Sequence, residues 1–227
     1  KKKIEGFEDK HVVEYYLDLL GLMNVPATVR EARITVDPGT LMWAREYLKK
    51  KGMTARPFIG IIPGGGSSWG PRAGRKRYSP AGFAKAADEL ASLYGPVALL
   101  GDVSEESLCR EVASAMRDQP LFIETGLDLE RYMGLLSVLD IVILNDGGPL
   151  HIARALGLRT VSIFGPVDPN VYGPYPPSEG NKVITARGLE CRPCYLRFKL
   201  PECGYDGACL EKIDPSEIVK AVSELVT

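Results

Sequence analysis

Residues 143–153, ILNDGGPLHIA, carry an apolar run into Asn145 and Asp146, then two glycines, then a proline that opens a helical pattern. A helix start behind a glycine turn suits an anion, because free backbone N–H groups and the helix dipole both favour negative charge. Asp146 would repel that anion unless its carboxylate has another partner. A second stretch, PGGGSSWGPRAGRKRYSP (63–80), places glycines and serines, Gly66 and Ser67 among them, ahead of Arg72, Arg75, Lys76 and Arg77. Small residues allow close backbone approach and four cations follow, a combination that suits a diphosphate. It is not a Walker A loop, since Pro71 and Arg72 stand where Lys and Ser or Thr are required after Gly70. Gly64, Gly66 and Gly70 are also spaced one residue too long for a dinucleotide fingerprint. For each cation the competing reading is a flexible, solvated surface loop.

Alternating strands and helices must hold these stretches. PFIGIIP (57–63), VALLG (97–101), LFIE (121–124), IVILN (141–145) and TVSIFG (160–165) read as strands. Helices are expected over 79–95, 104–116, 128–139 and 149–157, preceded by helices over 11–22 and 37–52. The 37–52 segment has an Asp cap, Pro at its first position and Gly as its stop. Near-continuous apolar strands between amphipathic helices predict an α/β fold, a Rossmann-like parallel sheet covered on both faces. Ligands of such sheets gather at the carboxyl ends of the strands. Those ends carry GGGSSWG, GDVSEE, NDGG and FGPVDP.

With 28 Lys plus Arg against 29 Asp plus Glu in 227 residues, the net charge is −1, so nothing global argues for nucleic acid. Any anion site must be local. No apolar run reaches the ~20 residues that span a bilayer, and the start lacks the h-region of a signal peptide, so the chain reads as soluble and cytoplasmic. Four of the five cysteines, Cys191, Cys194, Cys203 and Cys209, fall in one short segment as C-x2-C-x8-C-x5-C. A zinc site, free thiols or a pairing formed on oxidation all stay open, with a structural staple favoured over catalysis. Cys109 sits at an inward helical position and reads as core.

The order GGGSSW, Lys76-Arg77-Tyr78, GDVSEE, NDGGPLHIARALG, FGPVDP and CRPC…C…C resembles the family 9 glycosyltransferases, typified by ADP-heptose:lipopolysaccharide heptosyltransferases. The resemblance implies the carboxyl-terminal half of a GT-B fold, with residues 57–227 as the nucleotide-sugar-binding domain. Residues 1–56 are then linker helices following an amino-terminal acceptor domain. It further implies that Gly147 and Gly148 present N–H groups to the donor pyrophosphate, that Asp146 accepts hydrogen bonds from sugar hydroxyls, and that His151 lies near phosphate in the first helical turn. Glu105 is implied as the ribose ligand. Lys76 is implied to stabilise the leaving group, with Arg75 or Arg77 as substitutes because the loop is longer here than in the commoner family form; Gly66 and Ser67 belong to the same donor set.

For Asp146 the alternative is a plain cap of the 149–157 helix; for Glu105 it is the first turn of a helix capped by Ser104. The implied reaction is inverting transfer of heptose from a nucleoside diphosphate to the lipopolysaccharide core. It requires no cofactor, takes its general base from the amino-terminal domain, and brings the enzyme into peripheral contact with the inner membrane. The second class of function considered is a non-catalytic module that binds a nucleotide or uses its cysteine cluster to engage a partner. An NAD-dependent oxidoreductase lacks its fingerprint.

Overall fold

The computed structural model of the protein describes residues 6–27, 31–65 and 69–226. Two helices lead, α1 (Val12–Leu22) and α2 (Pro38–Lys50), followed by β1 (Ile59–Ile62), α3 (Pro80–Tyr94), β2 (Ala98–Leu100) and α4 (Glu106–Ala115). Next come β3 (Phe122–Glu124), α5 (Leu129–Ser137), β4 (Ile141–Asn145), α6 (Gly148–Ala155), β5 (Arg159–Ile163), α7 (Pro169–Tyr172) and β6 (Asn181–Ile184). Two more helices, α8 (Ala208–Glu211) and α9 (Pro215–Val226), close the chain.

The six strands form one parallel sheet in the order β3-β2-β1-β4-β5-β6. Its direction of winding reverses between β1 and β4, and outside the carboxyl ends of those two strands such sheets leave a crevice. Alternate residues feed two cores. Ile59, Ile61, Ile141 and Ile143 join Phe83, Leu90 and Val222 on the side of α3, α4 and α9. Ile62, Val142 and Leu144 join Leu48, Leu135 and Leu150 on the side of α2, α5 and α6.

Local signals account for most helix ends. Asp37, Ser79 and Asp128 cap α2, α3 and α5 through their side chains, and Gly95 ends α3 at a positive φ. The first two helices differ in packing. In α2, Ala44 and Leu48 are buried with α5, whereas α1 has no buried residue and leaves Tyr16, Leu19 and Leu22 in solvent. The structure departs from expectation at several points. The sixth strand and the helices α7, α8 and α9 were not anticipated; the turn over 103–105 is a 3-10 helix that precedes α4; and α6 starts one residue early, at Gly148. The cationic segment also differs from a solvated loop, because Gly70–Lys76 winds into a 3-10 helix that carries Lys76 inward.

Candidate functional site

The crevice between the ends of β1 and β4 is closed by Asn145, which is fully buried. Its side-chain amide donates to the carbonyls of Pro63 and Gly64 at 2.7 and 2.9 Å, and its oxygen accepts the Tyr78 N–H at 2.8 Å. One side chain thus fixes the end of β1, the end of β4 and the exit of the cationic helix. The sequence signal for this role is the position of Asn145 between an apolar strand and Asp-Gly-Gly.

The two glycine turns meet backbone to backbone. A Cβ on Gly147 would fall inside the Gly65 carbonyl, so close packing of the turns demands glycine there. A Cβ on Gly148 would meet no described atom within 4 Å. Among the described residues no side chain caps α6; Gly147 is its N-cap and Pro149 contributes no N–H. This removes the capping alternative for Asp146, whose own N–H donates to Ile163 O at 3.0 Å.

The missing partner for Asp146 is Lys76. The carboxylate is 7% exposed and the ammonium 3%, with Oδ2 and Nζ 3.9 Å apart. Burial pushes the Asp146 carboxyl above its ordinary value and Lys76 opposes that shift. Burial likewise holds the Lys76 ammonium low, with Asp146 raising it and Arg77 lowering it further. Lys76 Nζ also lies 5.1 Å from the centroid of the Trp69 ring. Beside this pair, Arg75 Nη1 and Arg77 Nε are buried without a hydrogen-bond partner among the described residues.

Glu105 stands at the neighbouring strand end, 3% exposed. Its Oε1 is 3.5 Å from an Arg77 nitrogen, and its Oε2 accepts the Asp102 N–H at 3.3 Å. The carboxylate occupies the space that a Cβ on Gly64 would need, and its stem lies against Gly101. The cap of this turn is Asp102, not Ser104. Asp102 Oδ1 accepts the Ser104 N–H at 2.7 Å, and Asp102 and Glu105 form a reciprocal capping box.

His151 occupies the first turn of α6 as expected. Burial first, then the positive charge of His11 and Lys76, lowers its pKa. It lines a cavity of about 610 Å³ with His11, Tyr16, Arg154, Tyr172 and Tyr175. Gly66 and Ser67 lie outside the described residues. Reasoning from sequence also missed an aromatic wall, in which Trp69 lies 4.9 Å from Tyr195 and Tyr195 lies 5.8 Å from Tyr172, centroid to centroid. An aromatic in a polar glycine loop, SSWG, was its visible trace.

All five cysteines are free, and among the described residues no group of three or more His, Cys, Asp or Glu is placed to hold a metal ion. Zinc, one of the three readings left open for Cys191, Cys194, Cys203 and Cys209, thus finds no preformed ligand set among the described residues. Burial raises the thiols of Cys194 and Cys209, the opposite of what metal ligation asks. Cys203 is drawn toward thiolate, first by the Gly207 N–H at 3.3 Å and then by the Tyr205 backbone, with help from Arg75. Arg192, between two of these cysteines, donates to the carbonyls of Gly165 and Ala186 at 2.5 and 3.2 Å and so ties the segment to the end of β5.

Comparison with known proteins identifies the family and the fold. The family model described as Glycosyltransferase family 9 (heptosyltransferase) matches residues 1–201. The lipooligosaccharide heptosyltransferase 2 of Campylobacter jejuni is 22% identical over 97% of this chain and 66% of its own length. That of Haemophilus influenzae is 28% identical over 85% of this chain and 55% of its own. Among solved structures, a family 9 glycosyl transferase from Veillonella parvula superposes with a TM-score of 0.80 at 22% identity, covering 99% of this chain and 62% of that one. The E. coli ADP-heptose lps heptosyltransferase II gives 0.71 at 22% identity, over 95% and 62%. The chain thus spans a little over half to about two thirds of the length of these proteins, and it belongs to glycosyltransferase family 9, the heptosyltransferases.

Proposed function

We propose that the β1/β4 crevice binds a nucleoside-diphosphate sugar, ADP-heptose by the chemistry of the family, for inverting transfer to the lipopolysaccharide core. The observation that carries this reading is a cationic cluster, the buried Lys76 flanked by the half-buried Arg75 and Arg77, of which Arg75 Nη1 and Arg77 Nε are buried without a hydrogen-bond partner among the described residues. A buried donor without an acceptor is costly, and a diphosphate would supply acceptors and negative charge together. Space clear of described atoms at Gly148 gives that diphosphate room at the start of α6. Asp146, held by Lys76 and capping nothing, is left to accept hydrogen bonds from sugar hydroxyls.

In the reaction the acceptor hydroxyl oxygen bonds to the anomeric carbon while the bond from that carbon to the phosphate oxygen breaks. The electron pair stays on the departing diphosphate, and the hydroxyl proton goes to a base. Lys76, Arg75 and Arg77 meet the charge that develops on the leaving group, so preorganised electrostatics does the work here and no cofactor is called for. The base is assigned to the family's amino-terminal domain and to no residue of this chain. Glu105, at the strand end beside the cationic segment, is assigned to the ribose. An acceptor carried on a lipid would bring the enzyme to the inner-membrane surface; among the described residues no helix is long and apolar enough to cross a membrane.

The test is a thermal shift with ADP, GDP and UDP beside a transfer assay on the same chain. A ligand at a hundredfold excess over its Kd stabilises the folded state by about 2.7 kcal/mol, so ADP should raise the Tm measurably while sugar transfer stays undetectable. No shift with any nucleotide would overturn the donor reading. Robust transfer would place the base within these residues.

A further inference from the structure

Next to the crevice, Trp69, Arg72, Cys194, Tyr195, Phe198 and Lys199 line an open pocket of about 760 Å³, a size usual for small-molecule sites. We infer that this pocket is a subsite for an anionic saccharide, the part of the acceptor that reaches the donor sugar. The inference rests on the donor reading above and assigns to this domain a share of the acceptor surface.

Three independent features point to it. The first is lining chemistry. Three aromatic rings offer apolar faces of the kind that cover the C–H face of a pyranose, while Arg72 and Lys199 supply two cations and no acidic residue stands among the described lining. A neutral sugar would need no such cations, and a cationic peptide would be repelled by them.

The second is position. Trp69 is a shared wall, because the Lys76 ammonium lies 5.1 Å from its ring centroid and 3.9 Å from Asp146. A saccharide stacked on Trp69 would therefore be a neighbour of any sugar held by Asp146. Tyr195 borders the same carboxylate, whose charge, after burial, raises the tyrosine pKa.

The third is backbone. Leu196 and Lys199 exchange hydrogen bonds of 3.1 and 2.8 Å across a two-residue turn, and both central residues, Arg197 and Phe198, have positive φ (51° and 61°). That is the φ pattern of a type I′ turn, which ordinarily takes Asn and Gly. Two bulky residues held there are strained, and such strain collects at ligand sites. Here it presents Phe198, 51% exposed, at the pocket. The turn is anchored from outside, with Phe198 against Phe7 at 5.0 Å and Arg197 paired to Glu8 at 3.2 Å.

The chain has two tryptophans, which supply the readout. The ¹⁵N-indole signals of ADP-saturated protein are followed while a lipid-free, phosphorylated lipopolysaccharide inner-core oligosaccharide is added. Parallel titrations use the dephosphorylated oligosaccharide and inorganic phosphate. The Trp69 signal should move with the phosphorylated oligosaccharide and that of Trp43, on α2 beside Tyr47, should not. Dephosphorylation should weaken the response about fivefold or more, as should Phe198→Ala and Lys199→Ala, with the ADP thermal shift as the fold control. A silent Trp69 in protein that still binds ADP would overturn the subsite. So would an equal response to inorganic phosphate, which would mean an anion site without sugar recognition. A Trp69 response in protein that fails to bind ADP would instead overturn the donor reading and keep the pocket as a saccharide site.

Discussion

Glu105 and Asp146 are two nearly sealed carboxylates at neighbouring strand ends, each beside a cation of the 70–77 segment, yet they are held in different ways. Glu105 closes a helix start: it completes the capping box with Asp102 and occupies the space over Gly64 and Gly101. Asp146 closes nothing, because α6 has no side-chain cap among the described residues, and its described charge partner is Lys76. A carboxylate whose acceptors are used by local backbone supports the fold first. One held only by a lysine that is itself under desolvation pressure is the one that a ligand can recruit.

The largest expected effect tests the frame of this comparison, the glycine pair. Gly148→Val should abolish the ADP thermal shift and leave the circular dichroism native, since its Cβ points into space clear of described atoms that a diphosphate would fill. Gly147→Ala should act on the fold instead, lowering stability by ~2–3 kcal/mol, because the methyl meets the Gly65 carbonyl. If both variants lose only binding, the backbone contact between the turns has been misjudged.

Next come the carboxylates themselves. Glu105→Ala should cost about 2 kcal/mol in chemical denaturation, combining a lost cap with a weakened Arg77 contact. Asp146→Asn should also lower stability, by about 3 kcal/mol, because it leaves the buried Lys76 ammonium without its counter-charge. In protein that still folds it should weaken nucleotide-sugar binding about tenfold, with a smaller loss for bare ADP. Equal losses for both ligands would detach Asp146 from the sugar.

A third measurement follows the pH. Burial holds Lys76 below 10.5, so the folded chain sheds this proton earlier than the unfolded chain does. The cost of the buried charge is present at neutral pH and relieved as pH rises through the folded value, whereas attraction for a diphosphate is lost over the same range. ADP affinity should therefore fall on the alkaline side before pH 10.5 is reached. Lys76→Arg should remove that fall, and Asp146→Asn, which takes away the charge that raises the Lys76 pKa, should move it to lower pH. A profile identical in all three proteins would separate Lys76 from the anion.

The smallest effect is chemical. Cys109 lies under Glu105, its thiol pushed up to about 12 by burial and then by the Glu105 and Asp102 carboxylates, so a thiol reagent should label Cys203 first and Cys109 last. Glu105→Ala should speed labelling of Cys109 and Asp146→Asn should not. Equal rates in both variants would mean that Glu105 does not seal this part of the core.

Much of this architecture was legible in the chain. Asp37-Pro38, Ser79-Pro80 and Asp128 marked helix starts, and the runs ending at Ile62, Leu100 and Asn145 marked strands, because caps and unbroken apolar runs are local signals. The sixth strand was missed: Asn181–Ile184 is an edge strand with one face in solvent, so its residues mix polar and apolar without a long run. The helix α9, by contrast, carries plain local signals in Asp214-Pro215 and the apolar spacing of Ile218, Val219 and Val222.

The sequence by itself determined the alternation of strands and helices, the glycine turns at the strand ends and the supply of cations near them, since each depends on residues close together in the chain. Only the tertiary structure decided how the two carboxylates are held, Glu105 by a capping box and Asp146 by Lys76. That distinction is made by contacts between segments far apart in sequence: Lys76 with Asp146, Arg77 and Gly64 with Glu105, Asn145 with the end of β1, and Trp69 with Tyr195. Burial then sets the strength and the protonation of each contact, and burial is a property of the packed sheet and of no single stretch.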